Sequence, residues 1–178
     1  MNTLQLESVL AKDAHVGPML QGVYALDRVP RLKPGCYVVN TAPASHPGRH
    51  WIALFVTDRE IEYFDSYGLD PLPRLKQKGK TKSWRHNPMP LQSPLTSVCG
   101  QYCVYYLLHR ARDVSLKSIL KHFDSDVDMN DQLVYDFVRD RYAFDQLKLI
   151  DTKKVISQLS RPRFRTARTD VAASRHSP

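Results

Sequence analysis

The segment from residue 99 to about residue 112 constrains the fold of this chain more than any other. It is apolar nearly all round as far as Leu108 and long enough for three helical turns. A helix without a polar face has to be buried, so this one is predicted to lie at the centre of the protein. A polar loop carrying Pro94 leads directly into it, and Cys99 stands at the boundary.

Three apolar, β-branched or aromatic runs precede that helix and predict buried strands. They cover residues 36–41, 51–56 and 61–64, with a tight connection between the last two. Two further helices are predicted after the central one, over residues 115–123 and 131–142. Strands followed by helices indicate an α+β fold in which helices pack against a mostly antiparallel sheet.

The remaining elements are shorter. Residues 3–12 place apolar side chains on one helical face, residues 72–78 suit a small amphipathic helix, and residues 83–86 suit another strand. Asp113 or Ser115 is the expected cap of the helix over 115–123, and Asn130 is the expected cap of the helix over 131–142.

Length and composition predict one domain, residues 1–159, followed by a basic, flexible tail over residues 160–178. No apolar run is long enough to span a membrane, and the N-terminal residues do not resemble a signal peptide. Three cysteines fit no disulfide framework, so we expect an intracellular, reducing environment. Cys36 and Cys103 are expected in the core.

The chain carries a net charge of +8, concentrated in two blocks. Such blocks attract polyanions, although no nucleic-acid recognition motif accompanies them. The first block contains Arg74 and the candidate DNA contacts Lys76, Lys78, Lys80, Lys82 and Arg85. The second contains Lys153, Lys154, Arg161, Arg163, Arg165, Arg168 and Arg175.

Polar residues at the ends of two strands suggest a reactive site. His50 directly precedes one predicted strand and Asp65 directly follows the next, so an antiparallel pairing would bring them to the same edge of the sheet. Cys99 at a helix N-terminus is favoured as a thiolate and could face that edge. Together the three residues fit a nucleophile, its base and the acid that orients the base.

Two neighbours extend this hypothesis. Gln92, on the loop leading to Cys99, could donate a hydrogen bond to an oxyanion together with the Cys99 backbone N–H. Gly100 is expected to leave room for a substrate backbone. An alternative metal site would use Cys99, Cys103 and His109, but these supply only a partial ligand set.

The order of these motifs resembles the adenovirus protease family, adenain (peptidase family C5), and adenain-like cysteine proteases of other DNA viruses and virus-like elements. The resemblance covers roughly residues 5–112. It rests on Gly17-Pro18, residues 22–24, residues 39–42, His50-Trp51, residues 63–68, Gln92-x-Pro94 and Cys99-Gly100-x-x-Cys103.

The resemblance implies a papain-like or ubiquitin-like-protease-like fold and a viral cysteine endopeptidase that cleaves precursor proteins during virion maturation. Cys99 would be the nucleophile, His50 its base, Asp65 the orienting acid and Gln92 the oxyanion donor. No cofactor is needed for the chemistry, but DNA and a viral peptide are implied as activators. We expect a monomer that acts in the virion and the host nucleus without membrane association.

Two other functions fit the same residues. A protease for ubiquitin-like modifiers would use the same chemistry on a folded partner. A basic DNA-binding protein without enzymatic activity would explain the charge, but not the order of His50, Asp65, Gln92 and Cys99.

Overall fold

The computed structural model describes residues 1–142 of the chain. The helices are α1 (Thr3–Lys12), α2 (Pro73–Lys78), α3 (Cys99–Arg110), α4 (Leu116–Leu120) and α5 (Val127–Tyr142). The strands are β1 (Leu20–Ala25), β2 (Gly35–Asn40), β3 (Trp51–Val56), β4 (Glu60–Phe64) and β5 (Ser83–His86). Two short 3₁₀ turns flank β1.

The five strands form one sheet in the order β1-β2-β3-β4-β5. The three central strands pair antiparallel, whereas β1 joins β2 and β5 joins β4 in parallel. The predicted α+β class is confirmed. The parallel pairing of the two outer strands was not predicted, because the direction of a short strand depends on where its connection crosses the sheet.

Both faces of the sheet are covered, which explains why its central strands read as continuous apolar runs. Side chains of one face, including Cys36, Val38 and Phe64, pack under α1, α3, α4 and α5. On the opposite face, Tyr37 and Leu54 pack under the segment that follows β1 and under α2. A strand buried on both sides cannot alternate apolar and polar residues.

Helix α3 lies at the centre as its composition predicts. Gly100 to Leu108 are all buried, and the ring of Tyr106 stacks on Phe64 of β4 with centroids 4.4 Å apart. An acidic residue of β4, Glu62, is buried beside the end of α3. It accepts hydrogen bonds from Arg110 Nε at 2.8 Å and from Tyr106 Oη at 2.9 Å, so the buried charge is paired.

Two helix starts refine the predictions. Ser115 caps α4, and its hydroxyl accepts the Ser118 N–H at 3.1 Å. Asn130 does not cap α5, because the helix begins at Val127 and Asn130 lies within it. The Asn130 amide instead donates to the carbonyl oxygens of Asp124 and Leu91, at 2.9 Å and 3.3 Å. A capping residue and a buried polar anchor look alike in sequence.

The predicted boundary at residue 159, the tail over 160–178 and the second basic block lie outside the described residues. Within residues 1–142, no helix is both long and apolar enough to cross a bilayer.

Candidate active site

His50 and Asp65 meet at one edge of the sheet. Residue 50 directly precedes β3 and residue 65 directly follows β4, and the antiparallel register of these strands pairs Ala53 with Phe64. His50 Nε2 lies 2.7 Å from Asp65 Oδ1, and both side chains are largely buried. The juxtaposition expected from the strand ends is therefore present, and it leaves Nδ1 of the imidazole free to face another group.

The Asp65 carboxylate is held in place by its surroundings. Asp65 Oδ1 also accepts the Tyr67 N–H at 2.8 Å, and the ring of Tyr67 stacks on His50 with centroids 4.6 Å apart. The side chain of Asn87 bonds the Asp65 backbone twice. Its Oδ1 accepts the Asp65 N–H at 2.9 Å, and its Nδ2 donates to the Asp65 carbonyl at 2.6 Å. Asn87 thereby fixes the residue that orients His50.

Cys99 is the first residue of α3, and its thiol is only partly exposed. The preceding residue, Val98, provides no side-chain cap, so its side chain does not compete for the first N–H groups of the helix beside the sulfur. The His50 side chain and the Trp51 backbone lie close enough to the thiol to interact with it, and both interactions lower its pKa. Cys99, His50 and Asp65 thus form one continuous chain of contacts.

The chain of contacts favours charge separation between sulfur and imidazole. Burial alone would raise the pKa of the Cys99 thiol, but the hydrogen bond and charge of His50 hold that pKa below its usual range. Burial alone would lower the pKa of His50, but its bonds to Asp65 and Cys99 raise the pKa to about 9. Both shifts favour a thiolate beside an imidazolium.

This ion pair predicts the pH dependence of alkylation. We expect iodoacetamide to modify Cys99 rapidly well below the ordinary thiol pKa of about 8.5. Replacing His50 by Ala should move the rise in rate to higher pH, because burial then acts on the thiol without the opposing imidazolium. The measurement is the rate of carbamidomethylation against pH, with the modified peptide identified by mass spectrometry.

Two other cysteines serve as internal controls for that measurement. Burial raises the pKa of Cys36 to about 12 and raises that of Cys103 well above its usual value, so both should stay unmodified in the folded protein. An identical pH profile in the wild type and in His50→Ala would contradict the ion pair.

Gln92 lies beside the same corner but contacts neither Cys99 nor His50 among the hydrogen bonds of the described residues. Ser66 Oγ donates to Gln92 Oε1 at 2.7 Å, and the Ser66 carbonyl accepts the N–H groups of Leu91 and Gln92 at 2.8 Å and 3.0 Å. Gln92 Nε2 lies 3.2 Å from both Thr96 O and Thr96 Oγ1. These hydrogen bonds connect the loop that carries Gln92 to Ser66, the residue after Asp65.

The expectation for Gly100 is wrong. A Cβ atom at this position would lie 3.0 Å from Met1 Cβ and 3.6 Å from Leu6 Cδ2. The missing side chain therefore makes room for the N-terminal residues and α1, and the substrate cannot use that space.

An open cleft of about 550 Å³ lies against Cys99 instead. The first residues of the chain and the loop between β2 and β3 form its walls, and the lining of that loop includes Ala42, Pro43, His46 and Arg49. Asn40 shapes this loop because its Oδ1 accepts the N–H groups of Ala42 and Arg49, at 3.0 Å and 3.1 Å. An extended peptide has room here to approach the sulfur.

The structure argues against the alternative metal site. Cys99 and His109 are ten residues apart on one helix, which separates them by about 15 Å along the axis. In the part of the chain that the structure describes, no group of three or more His, Cys, Asp or Glu side chains is arranged to hold a metal ion.

The candidate DNA contacts lie on and after α2, away from Cys99 in the chain. Two of these five side chains bond other residues of the protein. Lys82 Nζ donates to the carbonyls of Thr57 and Asp58 at 2.7 Å and 2.8 Å, and Arg85 pairs with Glu60 at 2.9 Å. Among the described residues, the side chains of Lys76, Lys78 and Lys80 form neither a hydrogen bond nor an ion pair within the protein.

Sequence reasoning missed Asn87, Ser66 and Thr96 as supports of the site. Asn87 directly follows the predicted strand over 83–86, just as Asp65 follows its own strand. That signal becomes informative only once β4 and β5 are known to be parallel, because parallel strands end at the same edge of a sheet.

Comparison with known proteins finds similarity in sequence and in fold to a viral cysteine protease. No protein-family model matches the chain. A segment of 97 residues is 34% identical to the cysteine protease S273R of African swine fever virus, and this match covers 46% of the chain. It spans only 35% of that protein's length.

The crystal structure of the African swine fever virus pS273R protease superimposes with a TM-score of 0.54. The superposition covers 72% of this chain and 64% of that one, at 18% sequence identity. The chain therefore has the α+β fold of a viral cysteine protease. The likeness to a viral cysteine protease is supported, whereas the finer resemblance to adenain stays a prediction.

Proposed function

We propose that this chain is a viral cysteine endopeptidase that cleaves precursor proteins during virion maturation. The observation that carries the proposal is the chain of contacts from the Cys99 thiol through the His50 imidazole to the Asp65 carboxylate, beside an open cleft. A thiolate and an imidazolium that stabilise each other at a helix N-terminus would supply a nucleophile and a proton donor.

In the proposed acylation step, the Cys99 thiolate attacks the carbonyl carbon of the scissile peptide bond. The carbonyl π electrons move to the oxygen, which the Cys99 backbone N–H and Gln92 Nε2 would stabilise. The imidazolium of His50 gives its Nδ1 proton to the leaving nitrogen, the C–N bond breaks and the amine departs. A thioester joins Cys99 to the remaining acyl group.

Deacylation reverses the roles of the same groups. Neutral His50 takes a proton from a water molecule, whose oxygen attacks the thioester carbon. The C–S bond breaks, the carboxylic acid leaves and the thiolate forms again beside the imidazolium. Asp65 holds Nε2 of the ring throughout, so Nδ1 stays directed at the sulfur.

The similarity to a named viral cysteine protease supports the chemistry and makes viral proteins the substrates to test first. The chain spans about a third of that relative's length. Processing of viral precursors, action as a monomer in the virion and host nucleus, and stimulation by DNA or a viral peptide are parts of the proposal. The uncommitted lysines of α2 and the following turn support the DNA part.

Protein turnover and active-site labelling together test the proposal. The full chain is incubated with a proteome-derived peptide library, with precursor-derived peptides and with ubiquitin-like modifiers that carry a C-terminal fluorophore, each with and without duplex DNA. We expect internal cleavage of peptides, and labelling of Cys99 by a peptide vinyl sulfone that fails in His50→Ala.

The alternatives give different results in the same experiment. Faster turnover of modifier–fluorophores than of peptides would replace the proposal by a protease for ubiquitin-like modifiers. Salt-dependent DNA binding without cleavage and without labelling of Cys99 would favour the non-enzymatic DNA-binding protein.

A further inference from the structure

A carboxylate far from the catalytic residues in sequence lies beneath the loop that carries Gln92. Asp131 of α5 is 1% exposed and forms no ion pair among the described residues. It accepts hydrogen bonds from Thr96 Oγ1 at 2.6 Å, from the Ser93 N–H at 3.1 Å and from Tyr102 Oη at 2.8 Å. Burying a carboxylate that accepts hydrogen bonds only from neutral donors costs free energy of folding. Its presence here therefore suggests a role beyond packing.

The hydroxyl of Thr96 links this carboxylate to Gln92. A hydroxyl has one proton, and that of Thr96 has two acceptors, Asp131 Oδ2 at 2.6 Å and the Ser93 carbonyl at 3.1 Å, of which the nearer carboxylate is favoured. Thr96 Oγ1 can then accept a hydrogen bond from Gln92 Nε2, 3.2 Å away. The charge of Asp131 polarises the hydroxyl and so strengthens its acceptance from the amide.

The orientation of the Gln92 amide follows from these contacts. The Thr96 carbonyl, 3.2 Å from Nε2, can only accept, so the nitrogen side of the amide must face Thr96. The oxygen side then accepts from Ser66 Oγ at 2.7 Å. The amide has two N–H groups and two acceptors on Thr96, so a role at the oxyanion requires that one N–H serves both acceptors and the second faces the substrate.

Asp131 also reaches the helix that carries the nucleophile. The hydroxyl of Tyr102, three residues after Cys99 on α3, lies 2.8 Å from Asp131 Oδ1 and 2.7 Å from the Leu91 carbonyl, while Asp131 Oδ2 accepts from the N–H of Ser93, the neighbour of Gln92. The Asp131 carboxylate thus contacts both the loop that carries Gln92 and the first turn of α3. These are the two elements that would carry the oxyanion donors.

We propose that Asp131 is a positioning residue, which sets the Gln92 amide relative to Cys99 through Thr96. The inference rests on the proposed function, because it assigns Asp131 to the oxyanion site of that reaction. A misplaced donor weakens the transition state more than substrate binding, so the effect falls on kcat.

The first test compares Asp131→Asn with Asp13→Asn in the full chain. Asp13 is a buried carboxylate too, but it bonds Arg112 at 2.8 Å and the N–H groups of His15 and Val16, away from Gln92. We expect Asp131→Asn to lower kcat roughly 10- to 100-fold with little change in KM. Asp13→Asn should lower Tm but leave kcat within about twofold.

The second test is a double-mutant cycle with Gln92→Ala, which by itself should cost on the order of 10²-fold in kcat. If Asp131 acts through Gln92, adding Asp131→Asn to Gln92→Ala should change kcat by less than about twofold. Independent, multiplying losses would overturn the inference.

Thr96→Val gives the same information should Asp131→Asn fail to fold, because it removes the linking hydroxyl and keeps the side-chain shape. We expect it to lower kcat as Asp131→Asn does, and also to lose its effect when combined with Gln92→Ala. Unchanged kcat in Thr96→Val would overturn the inference while cleavage that depends on Cys99 persisted. Cleavage that does not depend on Cys99 would instead overturn the proposed function.

Discussion

Cys99→Ala is expected to lower peptide cleavage by at least ~10⁴-fold, because the variant lacks the atom that forms the acyl-enzyme. The remaining donors could still bind substrate, but no other described cysteine can replace the sulfur. Cys36 and Cys103 are buried and hold their protons. The measurement is kcat/KM on the best peptide from the library, with Tm recorded in parallel.

Cys103→Ala is the matched control for this variant. It removes the same thiol one turn later on the same helix, from a buried position in the core beneath the sheet. We expect a loss of about 1 kcal/mol of stability and near-normal kcat/KM. Comparable cleavage by Cys99→Ala and the wild type would refute the assignment of the nucleophile.

Asp65→Asn is expected to lower kcat/KM on the order of 10³-fold with the fold retained. Asp65 Oδ1 accepts from both His50 Nε2 and the Tyr67 N–H, and an amide oxygen can occupy the same place. The amide carries no charge, so it stabilises the imidazolium less. The pKa of His50 should fall, and the pKa of Cys99 should rise with the loss of its partner's charge.

The pH profile distinguishes this effect from general damage. In Asp65→Asn, the rise of Cys99 alkylation should move to higher pH, as in His50→Ala. Asp70→Asn is the matched control, since Asp70 is an exposed acid on the same connection and pairs with His86 at 3.2 Å, outside the site. Equal losses in the two variants, or an unshifted alkylation profile in Asp65→Asn, would count against Asp65 as the orienting acid.

The sequence supported good predictions wherever a residue's role depends on its own element. Helix α1, strand β3 and strand β5 have the predicted bounds, since each is a short pattern with clear punctuation on both sides. His50 and Asp65 could be placed together because a tight connection between two strands leaves only one pairing. Their catalytic roles stay predictions until the variants above are measured.

Predictions were wrong or absent wherever a residue's role depends on a distant element. Gly100 was expected to face substrate, but its space is filled by Met1 and by Leu6 of α1, nearly a hundred residues earlier. Asn130 was expected to cap a helix, but it serves the backbone of the Gln92 loop. The role of Asn87 was not predicted, because its partner Asp65 follows β4, whose parallel pairing with β5 has no local signal in the sequence.

The sequence by itself determined which groups are chemically capable: a thiol at a helix start, an imidazole and a carboxylate at two strand ends, and an amide on the loop before the helix. Tertiary structure alone decided how they are held. Asn87 fixes Asp65, Ser66 and Thr96 orient Gln92, and Asp131 joins that loop to the helix of Cys99. Reactive groups follow from residue types and local spacing, whereas their supports are hydrogen bonds between distant segments, which exist only after the chain has packed.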